Sequence, residues 1–370
     1  MRLSATLAGM QTYPFVRLTE AKRRLAAEGV DVVDFGMGEP REETPAFIRA
    51  AVAREIEAEP VSSYPLAEGV PALRAAIAAW VERRFGVALD PGTEVVPTLG
   101  SKEAIFSLAQ VVDGAVGVPT PGYPVYARGA AFAGREVVEL PLGPANGWLP
   151  DLDAIPWERL GLLWLNTPGN PTGVAAPLDY LREAAERARV HDVVLACDEA
   201  YSELWFEGAP PASGLQAGRE NVIVFNTLSK RSSMPGYRSG FAAGDPEIVA
   251  ALKRFRPNLG TAPQTFVQRA SIAAWGDEEH VVATRERYAA KRAVVLPALL
   301  GAGLEEAGGP ASFFLWMRAP DGFAEAMLER GVVVTPGEYL GPGGEGHVRV
   351  ALVPTLAQCE RAAALLRPPY

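Results

Sequence analysis

The chain alternates between short, uninterrupted apolar runs and longer stretches with helical periodicity. The apolar runs predict strands at residues 94–97, 115–118, 162–165, 193–197, 222–225 and 240–243. A strand that is apolar at every position is covered on both faces, as in a parallel sheet between layers of helices. The intervening stretches have the spacing of amphipathic helices, so the pattern predicts an α/β fold with a mostly parallel sheet flanked by helices.

The C-terminal part of the chain predicts a smaller α+β domain. There, a long helical pattern is followed by two short strands and a final helix. The N-terminal segment, up to residue 39, is too short to fold alone and is expected to join this domain. We therefore expect a large domain at residues 40–250 and a small domain assembled from residues 1–39 and 251–370.

Composition narrows the classes of function. The 370 residues carry 35 Lys and Arg against 44 Asp and Glu, a net charge of -9 that disfavours a general nucleic-acid or anionic-membrane binder. Cys197 and Cys359 are too few for a disulfide framework, and the three histidines are too far apart for a protein-built metal site. Because no segment approaches the roughly 20 apolar residues of a membrane span and the N-terminus lacks a signal-peptide core, a cytoplasmic protein is expected.

Asp198 directly follows the apolar run 193–197. A carboxylate at that point would be desolvated and must be paired. A helix cap or a structural salt bridge would satisfy it, and so would the protonated ring nitrogen of a ligand. In the last case Tyr201, three residues further on, could reach a neighbouring oxygen of the same ligand.

Lys230 follows the next predicted strand and is preceded by the hydroxyl residues Thr227 and Ser229. Most lysines in such loops are solvated. The alternative is a Schiff-base amine at a strand end, with a pKa lowered by burial and by nearby cations. The segment alone is compatible with both interpretations.

Two turns carry candidate binding groups. Gly100, Ser101 and Lys102 open a predicted helix, whose free N–H groups and dipole would suit a phosphate. Asn170 lies in a turn bracketed by prolines, which would hold it rigidly as a hydrogen-bond donor.

Arg349 alternates with Val348 and Val350 in a predicted strand, so it points away from the face that those valines bury. The side chain is then either exposed to solvent or turned toward the protein interior, where its guanidinium would bind a carboxylate. The preceding segment, 341–346, matches a GxGxxG pattern only formally, because it precedes a strand instead of opening a helix.

The order of these residues along the chain resembles the class I/II aminotransferase family of fold-type I pyridoxal 5'-phosphate (PLP) enzymes. The specific motifs are Asn-Pro-Thr-Gly at 170–173, Asp-Glu-Ala-Tyr at 198–201, Ser-Lys at 229–230 and Gly-Tyr-Arg-Ser-Gly at 236–240. The resemblance extends from about residue 34 to Arg349. It implies the fold predicted above, a PLP cofactor and amino-group transfer.

The resemblance also implies roles for individual residues. Lys230 would form the Schiff base and then act as general base and acid between the substrate Cα and the cofactor C4′. Asp198 would keep the pyridinium nitrogen protonated, Tyr201 and Asn170 would bind the ring 3′-oxygen, and Tyr123 would stack on the ring. The rest of the cofactor-binding set, mostly around the phosphate, would be Gly100, Ser101, Lys102, Thr227, Ser229 and Arg238. The substrate α-carboxylate would be bound by Arg349, Asn170 and the backbone of Gly38.

Tyr64 matches a tyrosine that members of this family donate to the phosphate of the neighbouring subunit. The resemblance therefore implies a homodimer with shared active sites. A PLP-binding transcriptional regulator on the same fold is disfavoured, because the chain is acidic and starts directly at the first segment of the family.

The substrate is less constrained by the sequence. Residues 312–316 and 343–349 resemble succinyldiaminopimelate aminotransferases of lysine biosynthesis, which implies N-succinyl-LL-2,6-diaminopimelate as donor and 2-oxoglutarate as acceptor. An aspartate or broad-range aminotransferase is the close alternative, and a PLP-dependent β-lyase is a more distant one. A dicarboxylic substrate needs a second cation, for which the candidates are Lys102, Arg17, Arg128 and Arg256.

Overall fold

The computed structural model describes residues 4–9, 15–61 and 63–366. The strands are β1 (Val33–Asp34), β2 (Val95–Thr98), β3 (Ala115–Thr120), β4 (Val137–Pro141), β5 (Leu160–Asn166), β6 (Val194–Asp198), β7 (Val222–Thr227), β8 (Gly240–Gly244), β9 (Glu305–Glu306), β10 (Phe314–Arg318), β11 (Val332–Val333), β12 (Thr335–Pro336) and β13 (His347–Ala351).

The helices are α1 (Ala5–Gly9), α2 (Phe15–Ala27), α3 (Ala46–Ala58), α4 (Pro71–Phe85), α5 (Gly100–Leu108), α6 (Val125–Phe132), α7 (Leu178–Val190), α8 (Leu228–Arg231), α9 (Pro246–Phe255), α10 (Thr265–Gly276), α11 (Glu279–Gly301), α12 (Phe323–Glu329) and α13 (Leu356–Leu365). Within the described residues, none of these helices combines the length and the apolar character needed to cross a membrane.

The large sheet contains the six strands that the apolar runs predicted. Within residues 63–366 it has seven strands, in the order β2-β8-β7-β6-β5-β3-β4. β8 is antiparallel to both neighbours, and the other pairings are parallel. The expected fold class, a mostly parallel sheet flanked by helices, is therefore confirmed.

Both faces of this sheet are buried, because successive residues of each central strand pack into different apolar layers. In β5, Leu163 and Leu165 belong to the layer that contains Trp80, whereas Leu162 and Trp164 belong to the layer on the opposite face. Each such side chain contributes roughly 1.5–3 kcal/mol by leaving water. The sheet is thus a rigid frame, and the segments after its strands project from it.

The sequence pattern missed β4. This strand lies at the edge of the sheet, where it pairs with β3. Leu140 is its one buried residue, and Glu139 interrupts the apolar run. An edge strand with one covered face lacks the continuous apolar run that identified the central strands.

The C-terminal part of the chain forms a second sheet in the order β12-β13-β10-β9, which is antiparallel. β1, from the N-terminal part, pairs with β11 beside it. The division into domains stays a prediction. However, α10 packs against α3 and α4, and its Trp275 lies in the same apolar layer as Trp80. This packing favours a large-domain boundary near Gly276 over one at residue 250.

The short helix α8, which carries Lys230, is tied to the junction between α10 and α11 by Arg231. The Arg231 guanidinium is 1% exposed and donates to the carbonyl oxygen of Ala274 at 2.6 Å and to the carboxylate of Glu278 at 2.7 Å. It also lies 5.5 and 5.2 Å from the ring centroids of Trp80 and Trp275. The guanidinium is therefore fixed by hydrogen bonds at its edge and by cation–π contacts with both tryptophan rings.

His280 makes a second link at the same junction. Its Nε2 lies 2.8 Å from Ser232 Oγ, and its Nδ1 lies 2.6 Å from Asp277 Oδ1. Ser232 is fully buried, with no surface open to solvent. This serine, histidine and aspartate therefore act as a structural link, because no substrate can reach the hydroxyl.

Replacing Arg231 with Met should destabilise the protein, because the buried carboxylate of Glu203 and the half-buried carboxylate of Glu278 lose a cation. The expected loss is about 3 kcal/mol, which for a chain of 370 residues is a fall of about 4 °C in the thermal midpoint. The matched control is Arg182→Met, which removes an exposed pair with Asp179 and should change stability by less than about 0.5 kcal/mol. Equal midpoints for the two variants would show that the Arg231 contacts contribute nothing net.

Candidate active site

The polar residues that follow the strands meet at one edge of the large sheet. β5 ends at Asn166, β6 at Asp198 and β7 at Thr227. Asn166 lies beside Asp198 in the register of the neighbouring strands. The carboxyl ends of parallel strands form the usual ligand-binding edge of such sheets.

A cavity of about 510 Å³ opens at this edge. All but two of the predicted site residues line it: Gly38, Ser101, Lys102, Tyr123, Asn170, Asp198, Tyr201, Thr227, Ser229, Lys230, Arg238 and Arg349. The two exceptions are Gly100, which lies against Arg238, and Tyr64, whose side chain is fully exposed at 101%. The wall also includes residues that the sequence did not single out: Met37, Glu39, Pro124, Asn166, Ala200, Pro235, Phe314 and Leu340.

Asp198 lies in the wall of the cavity and is 4% exposed. Burial raises the pKa of its carboxyl to about 6, against the lowering effect of two hydrogen bonds. The Tyr126 hydroxyl donates to Oδ2 at 2.8 Å, and the Ala200 N–H donates to Oδ1 at 3.2 Å. Tyr126 is itself buried and stacks on Trp164, with ring centroids 4.7 Å apart.

The Lys230 amine projects toward the same space. Its Nζ donates to the carbonyl oxygen of Gly38 at 2.6 Å and lies 5.8 and 5.2 Å from the ring centroids of Tyr201 and Phe313. Burial, and then the positive charge of Arg349, lower the pKa of Lys230 to about 7. A substantial fraction of this amine is therefore uncharged near neutral pH, which is the form that attacks a carbonyl.

Arg238 crosses the first turn of α5. Its two terminal nitrogens donate to the carbonyl oxygens of Pro235 at 2.8 Å and Leu99 at 2.9 Å. A Cβ on Gly100 would lie 2.7 Å from Arg238 Nη2, and Gly100 has a φ of +66°. Only glycine therefore allows the guanidinium to lie at the start of this helix.

The start of α5 gives one end of the cavity a positive potential. The nine-residue helix begins at Gly100, and Lys102 lies in its first turn. Burial, followed by the charges of Arg238 and Arg128, lowers the pKa of Lys102. The hydroxyls of Thr227 and Ser229 lie 2.9 Å apart in the wall of the same cavity. Helix N–H groups, two cations and hydroxyls together suit a phosphate.

Arg349 faces inward and is 3% exposed, so the strand face opposite Val348 and Val350 borders the cavity and not solvent. Its Nη1 donates to Asn170 Oδ1 at 2.8 Å, and its Nη2 donates to the carbonyl oxygen of Gly36 at 2.8 Å. The guanidinium carbon lies 4.5 Å from the ring centroid of Phe314. These contacts orient a planar cation that suits a carboxylate.

The arrangement fits PLP on the chemistry of its donors and acceptors. A buried carboxylate (Asp198) suits a protonated ring nitrogen, and the cationic end around Lys102 and Arg238 suits the phosphate. The amine of Lys230, with its lowered pKa, suits the aldehyde. Tyr123 also lines the cavity, where an aromatic ring can stack on a pyridine.

Tyr126 and Phe314 are the clearest residues that sequence reasoning missed. A buried carboxylate needs a partner, and Tyr126 lies three residues after Tyr123, in α6, the helix that follows β3. That requirement was the available signal, but several hydroxyl residues could have met it. Phe314 lies within the 312–316 motif, but that motif did not indicate that its ring borders the cavity, because an aromatic residue in an apolar strand is normally core.

Comparisons with known proteins agree with this geometry. A family model described as aminotransferase class I and II matches residues 30–366. An LL-diaminopimelate aminotransferase of Dehalococcoides mccartyi is 39% identical over 99% of this chain and 98% of its own length. One of Nitratidesulfovibrio vulgaris is 38% identical over 98% of each chain.

Solved structures are similar over nearly the whole chain. An aminotransferase from Neisseria meningitidis has a TM-score of 0.88 and 36% identity, covering 98% of this chain and 99% of its own. An aspartate aminotransferase from Thermus thermophilus, determined with maleate, has a TM-score of 0.90 and 32% identity, covering 98% of each chain.

Replacing Tyr126 with Phe should weaken PLP binding about 10-fold, the effect of losing a hydrogen bond to a charged group. That hydrogen bond lowers the pKa of Asp198, so its loss raises the pKa and Asp198 becomes protonated at a higher pH. The loss of affinity should therefore be larger near pH 6 than near pH 8, which is measured by titrating apoenzyme with PLP across this range. Tyr180→Phe, which removes a hydroxyl bonded to Pro150 at 2.7 Å, is the control. Unchanged PLP affinity of Tyr126→Phe at both pH values would contradict the assignment.

Proposed function

The chain belongs to the class I and II aminotransferase family, and we propose that within it the protein transfers the amino group of a diaminopimelate-type donor to a 2-oxo acid. As a member of this family it is a PLP-dependent aminotransferase. The observation that carries the proposal for this site is the presence of Lys230, Asp198 and Arg349 around one cavity. The curated relatives named LL-diaminopimelate aminotransferase support the donor class.

In this proposal each residue acts on a stated atom. When bound, PLP supplies an aldehyde that captures amines and a protonated ring that accepts the electron pair left at the substrate Cα. Lys230 Nζ takes the proton from that Cα and later returns one. Asp198 keeps the ring nitrogen protonated, and the Tyr126 hydroxyl donates a hydrogen bond to the Asp198 carboxylate. Arg349 binds the substrate α-carboxylate.

Of the candidates for the second cation whose side chains the structure describes, Lys102 is the one that lines this cavity, so we propose that it binds the remote carboxylate of a dicarboxylic substrate in addition to the cofactor phosphate. Arg256 is fully buried, and its Nε donates to the Glu103 carboxylate at 2.7 Å, so it is already committed. Arg128 lines an adjoining groove. The side chain of Arg17 lies outside the described part of the chain.

Two donors of the proposed class differ at the end remote from the reacting carbon. The sequence motifs favour N-succinyl-LL-2,6-diaminopimelate, whose remote amine is acylated, whereas the names of the relatives favour unsubstituted LL-diaminopimelate. The proposed acceptor is 2-oxoglutarate, whose remote carboxylate would use Lys102. Aspartate is the second candidate donor. It is favoured by the similarity to the aspartate aminotransferase from Thermus thermophilus and by Lys102, which would bind the side-chain carboxylate of aspartate.

We also propose a homodimer in which Tyr64 reaches the site of the neighbouring subunit. The Tyr64 side chain is fully exposed at 101% in the single chain, which leaves its hydroxyl available to a second copy. Leu66 is exposed at 57% close by in the sequence, so the same segment presents apolar surface. A shared site would make cofactor retention depend on assembly.

The holoenzyme should transfer an amino group from a diaminopimelate donor to 2-oxoglutarate, and glutamate should form in equal amount. Single-turnover reactions with both diaminopimelate forms and aspartate, followed by the visible absorbance of the cofactor, identify the donor. Pyruvate and ammonia as products would indicate a β-lyase and contradict the proposal. Lys230→Ala should lower turnover on the order of 10³-fold, whereas Lys253→Ala, at a surface lysine bonded to Gly92, should not.

Tyr64→Phe should weaken PLP binding about 10-fold through the loss of a phosphate hydrogen bond, with no change in oligomeric state by light scattering. Dilution should release PLP from the wild-type protein at the concentration where the dimer dissociates. Wild-type PLP affinity in Tyr64→Phe, or a wild-type monomer that retains PLP, would refute the shared site.

A further inference from the structure

The charges that line the cavity are unevenly matched. Its basic side chains are Lys102, Lys230, Arg238 and Arg349, and its acidic side chains are Asp198 and Glu39. The proposed function uses each of the cations, and it uses Asp198 for the cofactor ring. Glu39 is the one charged group of this wall, among the described residues, that the proposed reaction leaves without a role.

Glu39 lines the cavity and is an exposed residue. It makes no hydrogen bond and no ion pair with any residue in the described part of the chain. The neighbouring Met37 is 37% exposed and also lines the cavity, so this part of the wall borders solvent. A carboxylate that has no ion pair, in a wall with four basic side chains and one other acidic side chain, can bind a positively charged group.

The backbone around Glu39 is held in place on both sides. Before it, the Asp34 carboxylate accepts from the Gly36 N–H at 2.8 Å, and the Gly38 carbonyl accepts from Lys230 at 2.6 Å. A Cβ on Gly38 would lie 2.7 Å from the ring of Phe314, so the segment lies directly on that ring. After it, Arg41 donates to Asp34 at 2.8 Å. Glu39 is therefore displayed by an anchored segment.

We propose that Glu39 binds the remote ammonium group of a diamino acid donor. The inference rests on the proposed function, and it refines the donor from any diaminopimelate to one whose remote amine is free. An acylated amine carries no charge for Glu39 to bind. A succinyl group would place a further carboxylate in the cavity, which Glu39 repels.

The position of Glu39 also explains how one cavity could accept a donor that ends in an amino acid group. Such a group carries one positive and one negative charge. Lys102 and Glu39 line the same cavity and supply the opposite signs. A monoamino dicarboxylate such as aspartate needs only the positive charge of Lys102. Glu39 is therefore the residue that distinguishes a diamino acid donor from aspartate.

The test compares Glu39→Gln with the wild-type holoenzyme. kcat/KM for LL-2,6-diaminopimelate should fall about 10-fold, as for the loss of one charge-assisted hydrogen bond, and the loss should lie in KM with kcat kept. Values for N-succinyl-LL-2,6-diaminopimelate and aspartate should stay the same or rise. Glu43→Gln is the matched control, because Glu43 pairs with Arg49 on the exposed surface and does not line the cavity.

An equal fall for all three donors would overturn the proposal, because Glu39 would then act through Lys230, whose pKa its charge raises. Unchanged kinetics for all three donors would overturn it as well. If the wild-type enzyme accepts neither diaminopimelate form, the proposed donor is wrong, and that result does not yet decide the role of Glu39. Glu39 is then tested with L-lysine against L-norleucine, whose kcat/KM ratio must fall in Glu39→Gln if the carboxylate binds the remote ammonium.

Discussion

The burial of one carboxylate constrains the rest of the active site. Asp198 is 4% exposed, and burial raises the pKa of its carboxyl to about 6. An ionised group in that position is tolerable only where donors surround it, and the structure supplies the Tyr126 hydroxyl and the Ala200 N–H. Tyr126 in turn stacks on Trp164 in the apolar layer beneath. The packing of the core therefore sets the charge state at the centre of the cavity.

The substrate side of the cavity depends on contacts between distant parts of the chain. Arg349, in β13, donates to Asn170, which follows β5, and to the carbonyl oxygen of Gly36, which follows β1. Lys230 donates to Gly38 in the same N-terminal segment. Segments from both ends of the chain and from the large sheet must therefore be in register before the carboxylate-binding guanidinium and the reactive amine face one space.

Much of the fold was predictable from the sequence, because each central strand of the large sheet is buried on both faces and therefore has a continuous apolar run. The polar residues after those runs, such as Asp198 and Lys230, were found for the same reason. β4 was missed because one of its faces is open, and Tyr126 was missed because its partner lies 72 positions away in the sequence. The inward direction of Arg349 depended on what faces that side of β13, which no local pattern encodes. Glu39 was not singled out either, although the resemblance placed its neighbour Gly38 at the substrate.

The helix that carries Lys230 is only four residues long. A single turn has little stability of its own, because the cost of starting a helix is not recovered over so few residues. The position of the Lys230 amine therefore depends on Arg231 and Ser232, which bind residues at the junction between α10 and α11. A substitution that loosens that junction is therefore expected to displace the reactive nitrogen, although Arg231 and Ser232 do not line the active-site cavity.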